Sequence, residues 1–167
     1  MNYKQSGVLT GEELRLPDNE TLCRGKTIII ECVENIPCDP CETSCPKGAI
    51  TVGGNICNLP KIDYTKCSGC GLCVAVCPGL AIFMAEKSPK GDWAEITIPY
   101  ELLPHPKNGE RVITMDRSGC DVGTGEIVRV TEFKKVQKSR LIVTVRIPAE
   151  DLNMVRHFRI AEGNHEQ

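Results

Sequence analysis

Hydrophobic residues along this chain come in short bursts separated by turn formers, and the character of the bursts changes part-way along. Thr27-Ile28-Ile29-Ile30 is a continuous apolar run of strand length, and Ala49–Val52, Lys61-Ile62-Asp63 and Ile82–Met84 are shorter pieces that also read as strands. Beyond residue 93 alternation takes over. Leu141, Val143, Val145 and Ile147 alternate with Ile142, Thr144 and Arg146, the period of two that marks a half-buried strand. Glu126–Phe133 and Arg111–Asp116 read as its neighbours, with Arg117-Ser118-Gly119 and Gly123-Thr124-Gly125 supplying turns. Ala94–Pro99 adds another strand, and Ala149–Phe158, after Pro148, predicts a terminal helix. Three to five antiparallel strands with one helix could close a small barrel.

The pattern divides the chain into regions. Residues 1–26 are polar and loop-like, an N-terminal arm with a short helical stretch at Thr10-Gly11-Glu12-Glu13-Leu14, where Thr10 can cap and Glu13 stands three residues on. Such an arm reads equally as a docking segment or as an ordinary terminus. Residues 27–86 hold strand, loop, short helix and strand twice over. Lys87-Ser88-Pro89-Lys90-Gly91-Asp92 has linker composition. Residues 93–167 are expected to form a separate small β domain that serves a subunit interface. The fold class is α+β.

The chemistry lies in the cysteines of 27–86. Cys38, Cys41, Cys45-Pro46 and Ala49-Ile50 map onto Cys70, Cys73, Cys77-Pro78 and Ala81-Ile82 at a constant offset of 32 residues (38 to 70). The second block is complete, Cys67-x-x-Cys70-x-x-Cys73-x-x-x-Cys77-Pro78. This spacing is the bacterial iron–sulfur run, in which the fourth cysteine of each run serves the other run's cluster. Two-residue gaps let one tight loop present three sulfurs to a compact core, and the fourth arrives from the other repeat. Gly69 and Gly71 supply loop positions without a Cβ, while Pro46 and Pro78 prevent simple helical continuation past the fourth ligand. One site then comprises Cys45, Cys67, Cys70 and Cys73. The other begins with Cys38, Cys41 and Cys77, and its remaining position falls on Asn35.

Three completions of that second site stay open. Cys32, three residues before the gap, could reach it over a wider loop. Cys57 lies in the connection after Gly53-Gly54-Asn55, which reads as a hairpin turn. Without either, a three-iron cluster would rest on Cys38, Cys41 and Cys77. Cys23 and Cys120 read as ordinary thiols. A zinc site built from Cys38/Cys41 and Cys67/Cys70 would leave Cys45, Cys73 and Cys77 without a role. A disulfide framework belongs to an oxidising compartment and usually to shorter chains. The polar start Met1-Asn2-Tyr3-Lys4-Gln5-Ser6 does not read as a signal peptide.

Composition narrows the partners. The 41% hydrophobic and 25% charged fractions are ordinary for a globular chain, and no apolar run approaches a membrane span. Aromatics make up only 4%, which disfavours base-stacking surfaces, so no nucleic-acid partner is expected. The formal charge is −2. Each oxidised four-iron cluster on four thiolates adds about −2, so a doubly loaded chain stands at roughly −6 and favours a basic docking face. His105, His157 and His165 are scattered without ligand-like spacing, and no catalytic constellation is visible.

Residues 27–86 resemble a bacterial two-cluster [4Fe-4S] ferredoxin, with Cys67-Ser68-Gly69-Cys70-Gly71-Leu72-Cys73-Val74-Ala75-Val76-Cys77-Pro78 carrying most of the match. The resemblance implies a ferredoxin-type pseudo-twofold unit holding two clusters. Ile30-Glu31-Cys32-Val33-Glu34-Asn35-Ile36-Pro37-Cys38-Asp39-Pro40-Cys41, followed by the β tail, more loosely resembles ferredoxin-like subunits of flavin-dependent dehydrogenases of the proline or hydroxyproline type. That likeness implies a non-catalytic electron-transfer subunit with a flavoprotein partner. Exposed clusters and low-potential chemistry suit the cytoplasm, where thiols stay reduced. A free-standing ferredoxin carrier, or a binding protein stapled by structural clusters, are the alternatives.

Overall fold

The computed structural model describes residues 3–11, 13–134 and 140–161. Two expectations fall partly outside them: Glu12 of the expected short helix, and His165. Thr10 and Glu13, on either side of Glu12, make the expected capping interactions. Glu13 accepts from the Thr10 N–H (2.8 Å) and from its hydroxyl (3.1 Å), closing a turn. The arm carries helix α1 (Tyr3–Ser6) and helix α2 (Asn19–Arg24). Asp18 caps α2 by accepting from the Thr21 N–H at 2.7 Å, satisfying one of the free donors of the first turn.

The rest follows in chain order as β1 (Thr27–Ile30), α3 (Pro40–Thr43), β2 (Ile50–Thr51), β3 (Lys61–Ile62), α4 (Leu72–Val76), β4 (Ile82–Lys87), β5 (Trp93–Tyr100), β6 (Arg111–Met115), β7 (Asp121–Phe133), β8 (Arg140–Pro148) and β9 (His157–Ile160). Strands dominate and the helices are few and short, an arrangement consistent with an α+β or β-rich chain. Two antiparallel sheets form: a small β2–β3 pair, and a seven-stranded sheet in the order β1-β4-β5-β8-β7-β6-β9.

That order joins what composition divides. β4, from the cysteine-bearing segment, pairs with β5 of the tail through Met84–Thr97 and its neighbours. Residues 87–92 are therefore the end of β4 and the turn of a hairpin, closed by the Ser88 N–H donating to the Trp93 carbonyl at 2.9 Å. Proline and glycine serve a hairpin turn and a linker alike, so composition does not separate the two.

The expected C-terminal helix also differs. Ala149–Asn153 forms a 3₁₀ turn, and the chain then extends into β9 against β6, pairing Phe158 with Thr114. Leu152, Val155 and Phe158, three apart, mimic a helical stripe. The unpaired edge of β6 offers a row of backbone hydrogen bonds that a solvated helix end does not. No β1–β9 pairing occurs among the described residues, so strand pairing leaves the sheet open.

Side chains nevertheless bring its ends together. Glu31, immediately after β1, is buried between Arg117 of the β6–β7 turn and Arg156 before β9. Arg156 Nε donates to it at 2.7 Å and Arg117 Nε at 2.9 Å. The sheet therefore curls around one apolar core, in which Leu22, Ile29 and Phe83 pack with Ile96, Val112, Val143 and Phe158. A second core lies on the other side of β1 and β4, made of Ile28, Ile50, Val74, Ile82, Met84 and Ile142 together with Cys41, Cys73 and Cys77. It positions the site.

Candidate metal centres

Short helices and tight turns deliver the cysteines. Cys38 precedes α3 and Cys41 lies on it, with Pro40 supplying a preset φ at the helix start. Cys45 follows α3. Cys67 and Cys70 lie in the loop before α4, Cys73 on the helix and Cys77 at its C-terminal end. The loop runs against β1's entry so closely that a Cβ on Gly69, where φ is +61°, would stand 2.5 Å from the Lys26 carbonyl oxygen. Only glycine fits there.

Two cavities collect the sulfurs. One is lined by Cys45, Cys67, Cys70 and Cys73, with Ile28, Ile50 and Lys47 among its walls. The other is lined by Cys32, Cys38, Cys41 and Cys77, with Ile36, Pro60, Pro78 and Ile82. Each therefore draws thiols from both repeats. Cys32 lies in the second cavity and Cys57 does not. Asn35 donates from its amide to the Cys57 carbonyl at 3.1 Å, tying the segment before Cys38 to the inter-repeat connection. The pairs Cys38/Cys41 and Cys67/Cys70 line different cavities, so the four-cysteine zinc site is not assembled. None of the eleven cysteines is joined in a disulfide.

Backbone donors already face two of the sulfurs. The Ala49 N–H donates to Cys45 Sγ at 3.2 Å, and the Ala81 N–H donates to Cys77 Sγ at 3.4 Å. These are the same contact at matching points of the repeat. Burial opposes ionisation of Cys45, but hydrogen bonds from Ala49, Lys47 and their neighbours outweigh it and lower its pKa. Where burial is less compensated the thiols resist ionisation: Cys41 is pushed up to about 11 and Cys73 to about 12, with neighbouring sulfurs adding to the effect. Such thiols stay protonated in water alone and would release their protons to solvent when a metal cation took the protons' place.

Both residue sets fit a multi-iron core. Among the described residues no three His, Cys, Asp or Glu side chains converge tightly enough for a single ion. Four sulfurs around a cavity, apolar walls and N–H donors aimed at sulfur are instead the arrangement that iron–sulfur clusters use.

Residues 60–83 match the family model for a 4Fe-4S binding domain. The chain is also similar to a component of the ion-translocating oxidoreductase complex of Methanosarcina acetivorans, 47% identical over 66 residues, covering 36% of this chain and 24% of that protein. It is 43% identical over 52 residues to the pyruvate synthase subunit PorD of Methanothermobacter marburgensis, covering 31% of this chain and 57% of that one. Against NADH-quinone oxidoreductase subunit I of Pelobacter propionicus the identity is 33% over 105 residues, covering 51% and 54% respectively. The chain thus spans less than two thirds of each of these relatives. No solved structure matches it. The cofactor chemistry of the cysteine segment is that of 4Fe-4S clusters. No helix among the described residues is long and apolar enough to cross a membrane.

Several residues around the centres carry no sequence signal. Arg140 donates to the Cys77 carbonyl from a strand 63 positions away. Ile142 packs beside the cysteines from that same strand and would meet a Cβ on Gly71 at 3.1 Å. Partners so distant along the chain leave no spacing to detect.

Proposed function

We propose that this protein transfers electrons through two iron–sulfur clusters as a subunit of an oxidoreductase complex. Cys45, Cys67, Cys70 and Cys73 hold one [4Fe-4S] cluster, and Cys32, Cys38, Cys41 and Cys77 hold the other. The observation that carries this reading is the sorting of the cysteines into two four-sulfur cavities, each drawing on both repeats. The pairings β1–β4 and β2–β3, the packing of α3 on α4 and the matched N–H···S contacts support a pseudo-twofold unit of ferredoxin type.

The clusters supply one-electron chemistry, and the chain supplies their setting. Apolar walls exclude water, and backbone N–H groups aimed at Cys45 and Cys77 stabilise negative charge on sulfur, which raises the potential. The partner we favour is a flavoprotein dehydrogenase subunit with a basic docking face, in the cytoplasm. The resemblance of residues 30–41 and the negative charge of the loaded chain support that choice.

Iron and acid-labile sulfide in anaerobically purified protein test the reading. About seven to eight irons per chain, matched by sulfide and reduced reversibly, are expected. One zinc and no sulfide would end it.

A further inference from the structure

We propose that Arg140, restrained by Glu101, raises the reduction potential of the cluster served by Cys77. This rests on the two-cluster reading above and adds a residue outside both repeats. Arg140 opens β8, and its side chain is only 9% exposed. One arm of its guanidinium donates to the Cys77 carbonyl, and the other pairs with Glu101 at 2.7 Å. The cation is thus fixed one residue's reach from the Cys77 sulfur.

The lining of the Cys32/Cys38/Cys41/Cys77 cavity contains a single charged side chain apart from its thiols, the acid Glu34. The other cavity includes Lys47 in its own wall. Arg140 therefore supplies from behind Cys77 the positive charge that the walls of the Cys32/Cys38/Cys41/Cys77 cavity lack. Reduction adds one electron and one unit of negative charge, and a fixed cation nearby stabilises that form over the oxidised one. Glu101 is 49% exposed and so offsets the effect only in part. A unit charge at this range in partly buried surroundings shifts such an equilibrium by about tenfold.

Arg140 acts here as a positioning and tuning residue, and a potential reads that role where a stability measurement does not. The full chain would be titrated anaerobically with dithionite as electron donor and mediator dyes, each cluster being followed by electron paramagnetic resonance. Arg140→Gln should lower the midpoint of one cluster by an amount equivalent to about tenfold, or 59 mV for a one-electron couple, with iron and sulfide contents unchanged. Arg140→Lys should fall between wild type and Gln, and Glu101→Gln should raise the same midpoint. Unmoved midpoints in both Arg140→Gln and Glu101→Gln, or shifts in the same direction, overturn the proposal. Should Arg140→Gln lose its clusters, Glu101→Gln decides alone: an unchanged or lowered midpoint is the overturning result. Wild-type protein without iron and sulfide would instead remove the cluster reading itself, and this role with it.

Discussion

Cys32 shows what a single residue's position adds to a motif. The 32-residue offset assigns seven cysteines and leaves the eighth position on Asn35, so the repeat alone cannot choose between Cys32, Cys57 and a three-iron cluster. In the fold Cys32 lines the cavity of Cys38, Cys41 and Cys77 and Cys57 does not, which is the support for proposing Cys32. Cys32→Ala should convert that cluster to a three-iron signal or empty it, and Cys57→Ala should leave both clusters intact. Anaerobic electron paramagnetic resonance of the two variants checks this, and an unchanged Cys32→Ala spectrum contradicts it. Gly69 marks a different boundary of sequence reading. Its lack of a Cβ was legible as suiting a cluster loop, but the specific obstruction, the Lys26 carbonyl at 2.5 Å, belongs to a neighbour 43 positions earlier (69 minus 26).

At the scale of elements, local patterning located most strands and misjudged the pieces whose partners are remote. Alternation in 141–147 is intrinsic to β8, because each face of that strand meets a different environment. β9 became a strand only because β6 presents an open edge to it. The Glu31–Arg117–Arg156 cluster is of the second kind. Its members are 86 and 125 positions apart, so no local signal predicts it. Burial opposes ionisation of Glu31, yet the Arg117 hydrogen bonds and the Arg156 charge outweigh it and hold the carboxyl below its usual value. A carboxylate more acidic when folded than when unfolded contributes stability that is complete above the ordinary value of about 4.3 and is lost as pH falls through the folded value. The clamp is therefore fully engaged at neutral pH. Glu31→Gln would leave the buried Arg156 without its counter-charge and should cost on the order of 3 kcal/mol, read as a lower urea midpoint at pH 7. Because Cys32 is the next residue, the same variant should release iron from the Cys32 site earlier in the urea titration than from the other.

For the whole molecule, the same reach across the chain makes the tail part of the cluster fold. Composition set residues 93–167 apart as a domain behind a linker, and a separable domain would leave the clusters indifferent to its loss. Four sets of contacts argue the reverse. β5 covers the edge of β4, whose Ile82 and Met84 wall the cysteine core. Ile142 of β8 fills that core beside Gly71, and Arg140 holds the Cys77 carbonyl. Arg117 and Arg156 fix the segment that carries Cys32. Removing residues 93–167 would expose an unpaired strand edge, which invites aggregation, and would open the apolar wall that keeps water from the sulfurs. A chain ending at residue 92 should therefore retain well under the full-length iron content and elute as larger species, measured by iron per chain and size-exclusion chromatography under anaerobic conditions. A monomeric truncated protein with full iron and unaltered cluster spectra would show that the cysteine segment folds alone, and that the contacts made by the tail are incidental to cluster retention.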